Sequence, residues 1–255
     1  MMADSNTSFF EDNVELYEAL VDWPKRLDRE SPFYRRLFEQ YKVQSALDVA
    51  CGTGHHADMF HSWNLLVEGS DLSPAMIDHC RQRYKESDRL AWTVRSFDEL
   101  HPNPDSFDAA ICVGNSLSLA GDRETAKKAV IALLGTVRSG GVCVVHILNL
   151  WSLSEGPITW QKCQRVTLDG KEYVVLKGAY RAGKCGYVEL VVLDLSGSSV
   201  VSMTKSTTLL GLKADELTAW ATEAGAGDVR LFGSYSFEPY DPRASQDLIM
   251  VCRRR

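Results

Sequence analysis

The sequence has no excess of basic charge and no long apolar run. Its formal net charge is −6, its isoelectric point is near 5.6, and only the segment Arg253–Arg255 is basic. Because a negatively charged surface repels a polyphosphate, we expect no nucleic-acid partner. No stretch approaches the roughly 18 consecutive apolar residues of a spanning helix, so we expect no membrane partner.

Paired cysteines and metal-ligand clusters are also missing. The seven cysteines are scattered without a CxxC pair, a usage typical of a reducing compartment. Residues 1–13 have neither a basic segment nor an apolar core, so we expect no signal peptide and a cytoplasmic location. His55–His56 and His79–Cys80 are poor metal sites, because adjacent helical residues point about 100° apart. No metal ion is predicted.

The pattern of apolar segments predicts an α/β protein. From residue 43 to residue 147 short apolar segments alternate with helical ones, which is typical of βαβ units around a parallel sheet. Four β-rich segments then follow within 160–209, separated by turn residues, and predict antiparallel hairpins. The α/β pattern returns with a helix at 213–224 and strands at 227–235 and 247–253.

These patterns divide the chain into three parts. We predict an N-terminal helical cap at 1–42, a Rossmann-like domain at 43–150 and 211–255, and a β-rich insertion at 151–210 that covers the active site. Within the cap, residues 14–41 predict helix, with breaks near Pro24 and Pro32.

A glycine-rich turn after the first strand carries the chemistry. Gly52 and Gly54 permit a sharp turn and the close approach of a ligand to the backbone. The same GxGxxA spacing serves dinucleotides, so the glycines alone leave NAD and S-adenosyl-L-methionine (SAM) open. Asp48 separates the two, since a carboxylate at the mouth of the loop repels a diphosphate and attracts the ammonium and sulfonium of SAM. The loop therefore favours SAM.

Later strand ends offer further contacts for an adenosine cofactor. Asp71 can accept both ribose hydroxyls, or it can cap the helix that follows. Ser96 and Phe97 offer adenine a polar edge and an apolar wall. Asn115 either faces the transferred methyl group and its acceptor or satisfies the turn in which it lies.

With these residues the chain resembles the class I SAM-dependent methyltransferases, and more narrowly their glycine/sarcosine N-methyltransferase branch. The resemblance rests on Asp48–Gly54 and Ile111–Ser116, with support from Leu20–Trp23, Arg26 and Glu238–Pro242. It implies a Rossmann-like sheet, mostly parallel with an antiparallel last strand, that carries an inserted antiparallel β meander. It also implies SAM as the cofactor and S-adenosyl-L-homocysteine as its product.

The resemblance assigns roles to individual residues. Arg26 would clamp the SAM carboxylate, and Tyr17 would wall the methionine end. The backbone carbonyls of Ala50 and Val113 would bind the ammonium. Asn115 and Tyr17 are the catalytic candidates. The full set of cofactor-binding candidates is Tyr17, Trp23, Arg26, Asp48, Ala50, Gly52, Gly54, Asp71, Leu72, Met76, Ser96, Phe97 and Val113.

The expected reaction is methyl transfer to an amine nitrogen of a small molecule, which needs no dedicated base. Leu148 stands where the animal glycine enzymes have an arginine for the substrate carboxylate, so a natural-product or less charged amine is favoured over glycine. A hydroxyl acceptor would need a base, for which His146 is the candidate. Small-molecule O-methylation, an NAD-dependent oxidoreductase, a SAM sensor without catalysis and a homo-oligomeric state stay open.

Overall fold

The computed structural model describes residues 14–97, 99–100, 107–197 and 200–255. Its helices are α1 (Val14–Leu20), α2 (Trp23–Tyr41), α3 (His55–Ser62), α4 (Pro74–Arg83), α5 (Arg123–Thr136) and α6 (Ala214–Glu223). Its strands are β1 (Ser45–Val49), β2 (Leu66–Asp71), β3 (Leu90–Val94), β4 (Phe107–Cys112), β5 (Val137–Leu148), β6 (Thr159–Leu168), β7 (Lys171–Ala182), β8 (Cys185–Asp194), β9 (Val201–Leu210), β10 (Ala226–Phe232) and β11 (Asp247–Arg254). No described helix combines the length and apolar character needed to cross a membrane.

Seven strands form a sheet, here called sheet A, in the order β10-β11-β5-β4-β1-β2-β3. The pairs among β5, β4, β1, β2 and β3 are parallel, whereas β11 is antiparallel to both of its neighbours, β5 and β10. This arrangement confirms the predicted fold class, a mostly parallel sheet with an antiparallel last strand.

Successive residues of the central strands enter two separate apolar cores. Ala46 of β1 packs with residues of α2, α3 and α4, whereas Leu47 packs with residues of α5 and α6. Side chains alternate between the two faces of a strand, and both faces are covered by helices. Strands buried on both faces are therefore continuous apolar runs, which is why the sequence predicts them well.

Helix α2 corrects one prediction. The interruption predicted near Pro24 is confirmed, because α1 ends at Leu20 and α2 begins at Trp23, with Pro24 in its first turn. The break predicted near Pro32 is wrong, since α2 continues through it to Tyr41. Phe33 and its apolar neighbours on α2 are buried in the core, and this packing outweighs one missing backbone hydrogen bond.

The four strands β6 to β9 form a second, antiparallel sheet, here called sheet B, and confirm the predicted meander. Val175 and Leu190 on its inner face pack with Leu20 of α1. A side chain built at Gly186 of β8 would lie 2.4 Å from Leu150, in the short 3-10 helix after β5. Sheet B thus packs on α1 and on the segment that follows β5. The three-part division of the chain stays a prediction.

Candidate functional site

The candidate residues collect at one edge of sheet A. Strands β1, β2 and β4 run parallel and in register, so that Ala50, Asp71 and Val113 stand at the same level, at or just beyond the strand ends. Ligands of open α/β sheets bind outside this carboxyl edge. The topology therefore brings together loops that are far apart in the sequence.

The glycine-rich turn combines strained backbone with an open side. Ala50, Gly52 and Gly54 have φ values of 54°, 55° and 81°, a region that favours glycine. A Cβ at Gly54 would lie 2.6 Å from the Trp92 ring, so this position requires glycine for packing. A Cβ at Gly52 would meet only Tyr17, at 3.6 Å from its hydroxyl oxygen. The backbone at Gly52 thus faces a space that Tyr17 bounds.

Asp71 fixes the turn to the start of α4. Its Oδ2 accepts a hydrogen bond from the Gly52 N–H and its Oδ1 accepts one from the Ser73 N–H, each at 2.9 Å. The cap of α4 is Ser73 itself, whose hydroxyl accepts from the Met76 N–H at 3.3 Å. The helix-cap alternative for Asp71 is therefore wrong, and its carboxylate is oriented at the loop.

Asp48 lies beneath the loop rather than at its mouth, with a residue exposure of 1%. Neither of its carboxyl oxygens has a hydrogen-bond partner in the described part of the chain. Burial raises the pKa of Asp48 to about 8, against the opposing effect of the Ala57 amide. The charge of Asp71 adds to this increase and that of Arg26 opposes it. Asp48 thus lies below the loop entrance, so that a charge on it would reach a ligand only through space.

Arg26 reaches the same edge from α2. A Cβ at Gly114, just after β4, would lie 3.6 Å from the Arg26 Nη2 atom. The Nε atom donates to Glu30 Oε1 at 2.9 Å, and the guanidinium carbon lies 5.0 Å from the centre of the Trp23 ring. Burial lowers the pKa of Arg26, but the Glu30 carboxylate raises it beyond its ordinary value. Arg26 is therefore a permanent cation beside the turn that follows β4.

Two aromatic residues support this corner of the site. The Tyr17 ring meets the Trp23 ring edge-on, with a centroid separation of 6.3 Å. Burial raises the pKa of Tyr17 to about 12, so its hydroxyl stays protonated. Trp23 is 6% exposed and stacks on His55 at 4.1 Å. Trp23 therefore joins α2 to α3 and backs Arg26, while Tyr17 stands over the turn.

The adenine candidates follow two neighbouring strands. Leu72 comes directly after β2 and is 54% exposed, whereas Met76 of α4 is buried. Ser96 and Phe97 follow β3, whose Val94 is in register with the last residue of β2. An exposed leucine beside a polar loop is a suitable wall for a planar base.

The acceptor-side candidates are held by hydrogen bonds to β5 and β11. Asn115 has a φ of 76°, and its Oδ1 accepts from the Leu148 N–H. His146 accepts from the Gly114 N–H through Nδ1 at 3.3 Å, so its Nε2 carries the proton that is donated to Asp247, at 3.1 Å. Both ring nitrogens of His146 are therefore engaged in structural contacts.

The sequence reasoning missed the buried acid that positions Arg26. Glu30 is 0% exposed, and its Oε2 lies 2.7 Å from the Nε2 of His56 on α3. Although burial opposes it, the His56 hydrogen bond and the Arg26 charge lower the pKa of Glu30 to about 2. A signal was present, because Arg26 and Glu30 are four residues apart on one helix.

Comparison with known proteins identifies the domain. Residues 46–141 match a family model described as a methyltransferase domain. The chain is 32% identical over 156 residues to the glycine/sarcosine N-methyltransferase of Parasynechococcus marenigrum. This alignment covers 58% of this chain and 53% of that protein. It is 31% identical over 126 residues to the glycine N-methyltransferase of Rattus norvegicus, with coverages of 44% and 43%. The chain thus spans about half the length of these two relatives or less.

Solved structures share the whole architecture. The sugar N-methyltransferase KedS8 from Streptoalloteichus has a TM-score of 0.77 at 22% identity, and the match covers 96% of this chain and 92% of that one. CalS10, a SAM-bound amino pentose methyltransferase from Micromonospora echinaspora, has a TM-score of 0.73 at 20% identity, with coverages of 97% and 98%. At these identities the likeness shows the fold.

Residues 46–141 thus form a methyltransferase domain, and the chain has the fold of solved SAM-dependent methyltransferases. The domain match agrees with the methyltransferase and the SAM cofactor that the motifs predicted. Within the class, the sequence is similar to glycine/sarcosine N-methyltransferases, as the motifs predicted. An NAD-dependent oxidoreductase finds no support among these relatives.

Proposed function

We propose that the protein transfers the methyl group of SAM to an amine nitrogen of a small molecule. The observation that carries the choice of nitrogen is the engagement of His146, whose two ring nitrogens are held by Gly114 and Asp247. A hydroxyl acceptor needs a base near the methyl group, and the only candidate from the sequence is thus committed elsewhere. The N-methyltransferase names of the relatives support the same choice.

The residues at the edge of sheet A fit SAM. Arg26, beside Gly114, would bind the methionine carboxylate, and the carbonyls of Ala50 and Val113 would bind the ammonium. Asp71, oriented by two backbone N–H groups, would accept the ribose hydroxyls. Asp48, whose pKa is raised to about 8, would supply negative potential for a cationic head when it is ionised.

The remaining cofactor candidates would complete the pocket. The backbone at Gly52, opened by the turn that Gly54 completes, would lie against the cofactor. Trp23 would hold Arg26 in place. Adenine would lie among Leu72, Met76, Ser96 and Phe97.

Catalysis by these residues is mainly positioning. Bound SAM supplies a methyl group that is already activated by its sulfonium, so the chain has to align an amine lone pair with it. Tyr17, protonated and standing over Gly52, would wall the methyl side, and Asn115 would present the acceptor from a loop fixed to Leu148. We also propose a cytoplasmic enzyme without nucleic-acid or membrane partners, which its net charge of −6 supports.

The test is incubation with methyl-labelled SAM and matched panels of amines and alcohols. We expect label on amines and not on alcohols. The variant His146→Gln, which keeps a donor and an acceptor, should retain amine methylation within about tenfold, because no proton passes through the side chain. Labelled alcohols together with a loss of activity in His146→Gln would instead establish O-methylation, and no labelled product at all would indicate a SAM-binding sensor.

A further inference from the structure

A row of lysines crosses the inner face of sheet B. Lys162 of β6, Lys177 of β7, Leu190 of β8 and Lys205 of β9 are successive cross-strand partners. Leu190 is 6% exposed and packs with Leu20 of α1, which fixes the side of the sheet on which the row lies. Three like charges on one covered row repel each other, so the row calls for an explanation.

Two of these lysines have partners within the chain. Lys162 donates to the carbonyl oxygen of Leu20, and Lys205 also interacts within the chain. Lys177, in the middle, has no hydrogen-bond or ion-pair partner among the residues that the structure describes. Its neighbours two positions away on β7, Val175 and Ala179, are both 0% exposed. Lys177 is thus an unpaired ammonium in an apolar setting.

The surroundings of Lys177 are positive. Burial, followed by the charges of Arg26 and Lys162, lowers the pKa of Lys177, and no carboxylate acts on it in the opposite direction. Lys162, the cross-strand partner of Lys177, donates to the Leu20 carbonyl at the end of α1, the helix that carries Tyr17. Lys177 thus lies on the face of sheet B that is turned toward the cofactor residues. An unpaired, partly buried cation is costly, and a ligand that brings a negative charge would remove this cost.

We propose that Lys177 binds an anionic group, a carboxylate or a phosphate, of the methyl acceptor. This inference rests on the proposed function and specifies its substrate class. It also revises the expectation of a less charged acceptor, because the cation missing at Leu148, the last residue of β5, is supplied from sheet B instead. The acceptor would then lie between the two sheets, with its anionic end at Lys177 and its amine toward the methyl group.

Matched probes separate the sources of the anion. Glycine and glycinamide differ in a carboxylate, and glucosamine 6-phosphate and glucosamine differ in a phosphate. For each pair we would measure methylation from labelled SAM and, by calorimetry, binding to protein saturated with S-adenosylhomocysteine. The wild type should prefer the charged member of at least one pair by about 10- to 100-fold, the size of one charge-assisted hydrogen bond. The pair that shows the preference identifies the source.

Three variants then test the residue. Lys177→Gln should abolish the preference by weakening only the charged probe, and Lys177→Arg should keep it. Lys205→Gln, in the same row but with its own interaction in the chain, is the matched control and should leave the preference unchanged. Thermal unfolding of each variant checks its folding, and if Lys177→Gln does not fold, Lys177→Met takes its place.

The outcomes distinguish this inference from the proposed function. An unchanged preference in the folded Lys177→Gln variant would overturn the role of Lys177. If that variant binds SAM more weakly but binds the acceptor normally, Lys177 contacts the cofactor carboxylate. This result would also overturn its role in acceptor binding. A wild type that methylates only uncharged amines would overturn the inference and leave the function standing, whereas one that binds no SAM would overturn both.

Discussion

Asp48 changes its charge within the working pH range of most proteins. Its carboxyl group is buried and its pKa is raised to about 8, so the free protein at pH 7 holds it mainly protonated. A sulfonium favours the carboxylate form, whereas a neutral thioether has no such preference. The cofactor and its demethylated product should therefore respond differently to pH.

We expect selectivity for SAM over S-adenosylhomocysteine to increase as the pH rises from 6.5 to 8.5, on the order of fivefold. The measurement is the ratio of the two dissociation constants by calorimetry, in which effects on the shared ammonium cancel. The variant Asp48→Asn, uncharged at every pH, should make this ratio independent of pH. A ratio that is already flat in the wild type would show that Asp48 does not sense the sulfonium.

Asp71 holds the loop and would also hold the ribose. The variant Asp71→Ala loses both functions, and we expect the dissociation constant for SAM to increase about 10- to 100-fold. Asp71→Asn, which keeps one acceptor oxygen, should lose less. Asp78→Ala, on the exposed side of α4, is the control and should bind SAM normally. Normal binding by a folded Asp71→Ala protein would contradict the assignment.

The sequence predicted which residues belong to the site, but it did not predict how deeply each of them is buried. Spacing alone places Asp71, Gly52 and Gly54 at strand ends, and the structure agrees. The depth of Asp48 depends on how α3 packs over β1, which no local pattern encodes. Lys177 and Val175 are two positions apart on β7, so the sequence alone puts them on the same face of the strand. The pairing of Lys177 with Lys162 depends on the strand register, which only the structure shows.

At the scale of elements, one buried carboxylate links α2 to α3. Glu30 of α2 is fully buried between Arg26 and His56. Its pKa is lowered to about 2 in the folded protein, so its contribution to stability is present above its unfolded pKa and is lost as the pH falls toward 2. Acid should therefore weaken the contact between these two helices.

The variant Glu30→Gln should reduce the free energy of unfolding at pH 7 by about 3 kcal/mol, because it leaves Arg26 buried without its counter-charge. It should also weaken the pH dependence of stability between about pH 5 and pH 2. Denaturant unfolding across this range measures both effects. Glu223→Gln, which breaks the exposed ion pair between Lys127 of α5 and α6, should change little. Equal effects of the two variants would rule out a special role for the Glu30 contact.

Elements were easier to predict than their ends. The apolar runs of β1, β4 and β5 and the turn residues between β6 and β9 each indicate a strand, and the structure contains all of them. Pro32 was misleading, because a local preference for a break was overridden by aromatic packing from Phe33 and Tyr34. Tertiary contacts of this kind cannot be read from a single window of sequence.

At the scale of the whole molecule, the cysteines differ in their exposure to solvent. Cys163 of sheet B is exposed and Cys185 is partly buried, whereas the other five cysteines are buried. Burial raises the pKa of Cys51 and that of Cys112, the latter to about 12, which suppresses the reactive thiolate. The native protein should therefore show very unequal thiol reactivity.

In a titration with a chromogenic disulfide we expect one thiol to react quickly, a second slowly, and five only after unfolding. Cys163→Ser should remove the fast phase and leave the others unchanged. A fast phase of three or more thiols would mean that the cores around Cys51 and Cys143 open readily in solution.

The position of β11 in sheet A limits the order in which the strands can pair during synthesis. This strand lies between β5 and β10, although it is the last of them along the sequence. Until residues 247–254 have been synthesised, the apolar strand β5 has an unpaired edge and β10 lacks its partner strand. Sheet B, whose strands pair only with their neighbours in sequence, can assemble before that moment. In a nascent chain, sheet B can therefore be complete while sheet A is not, and the edge of β5 stays unpaired until β11 is made.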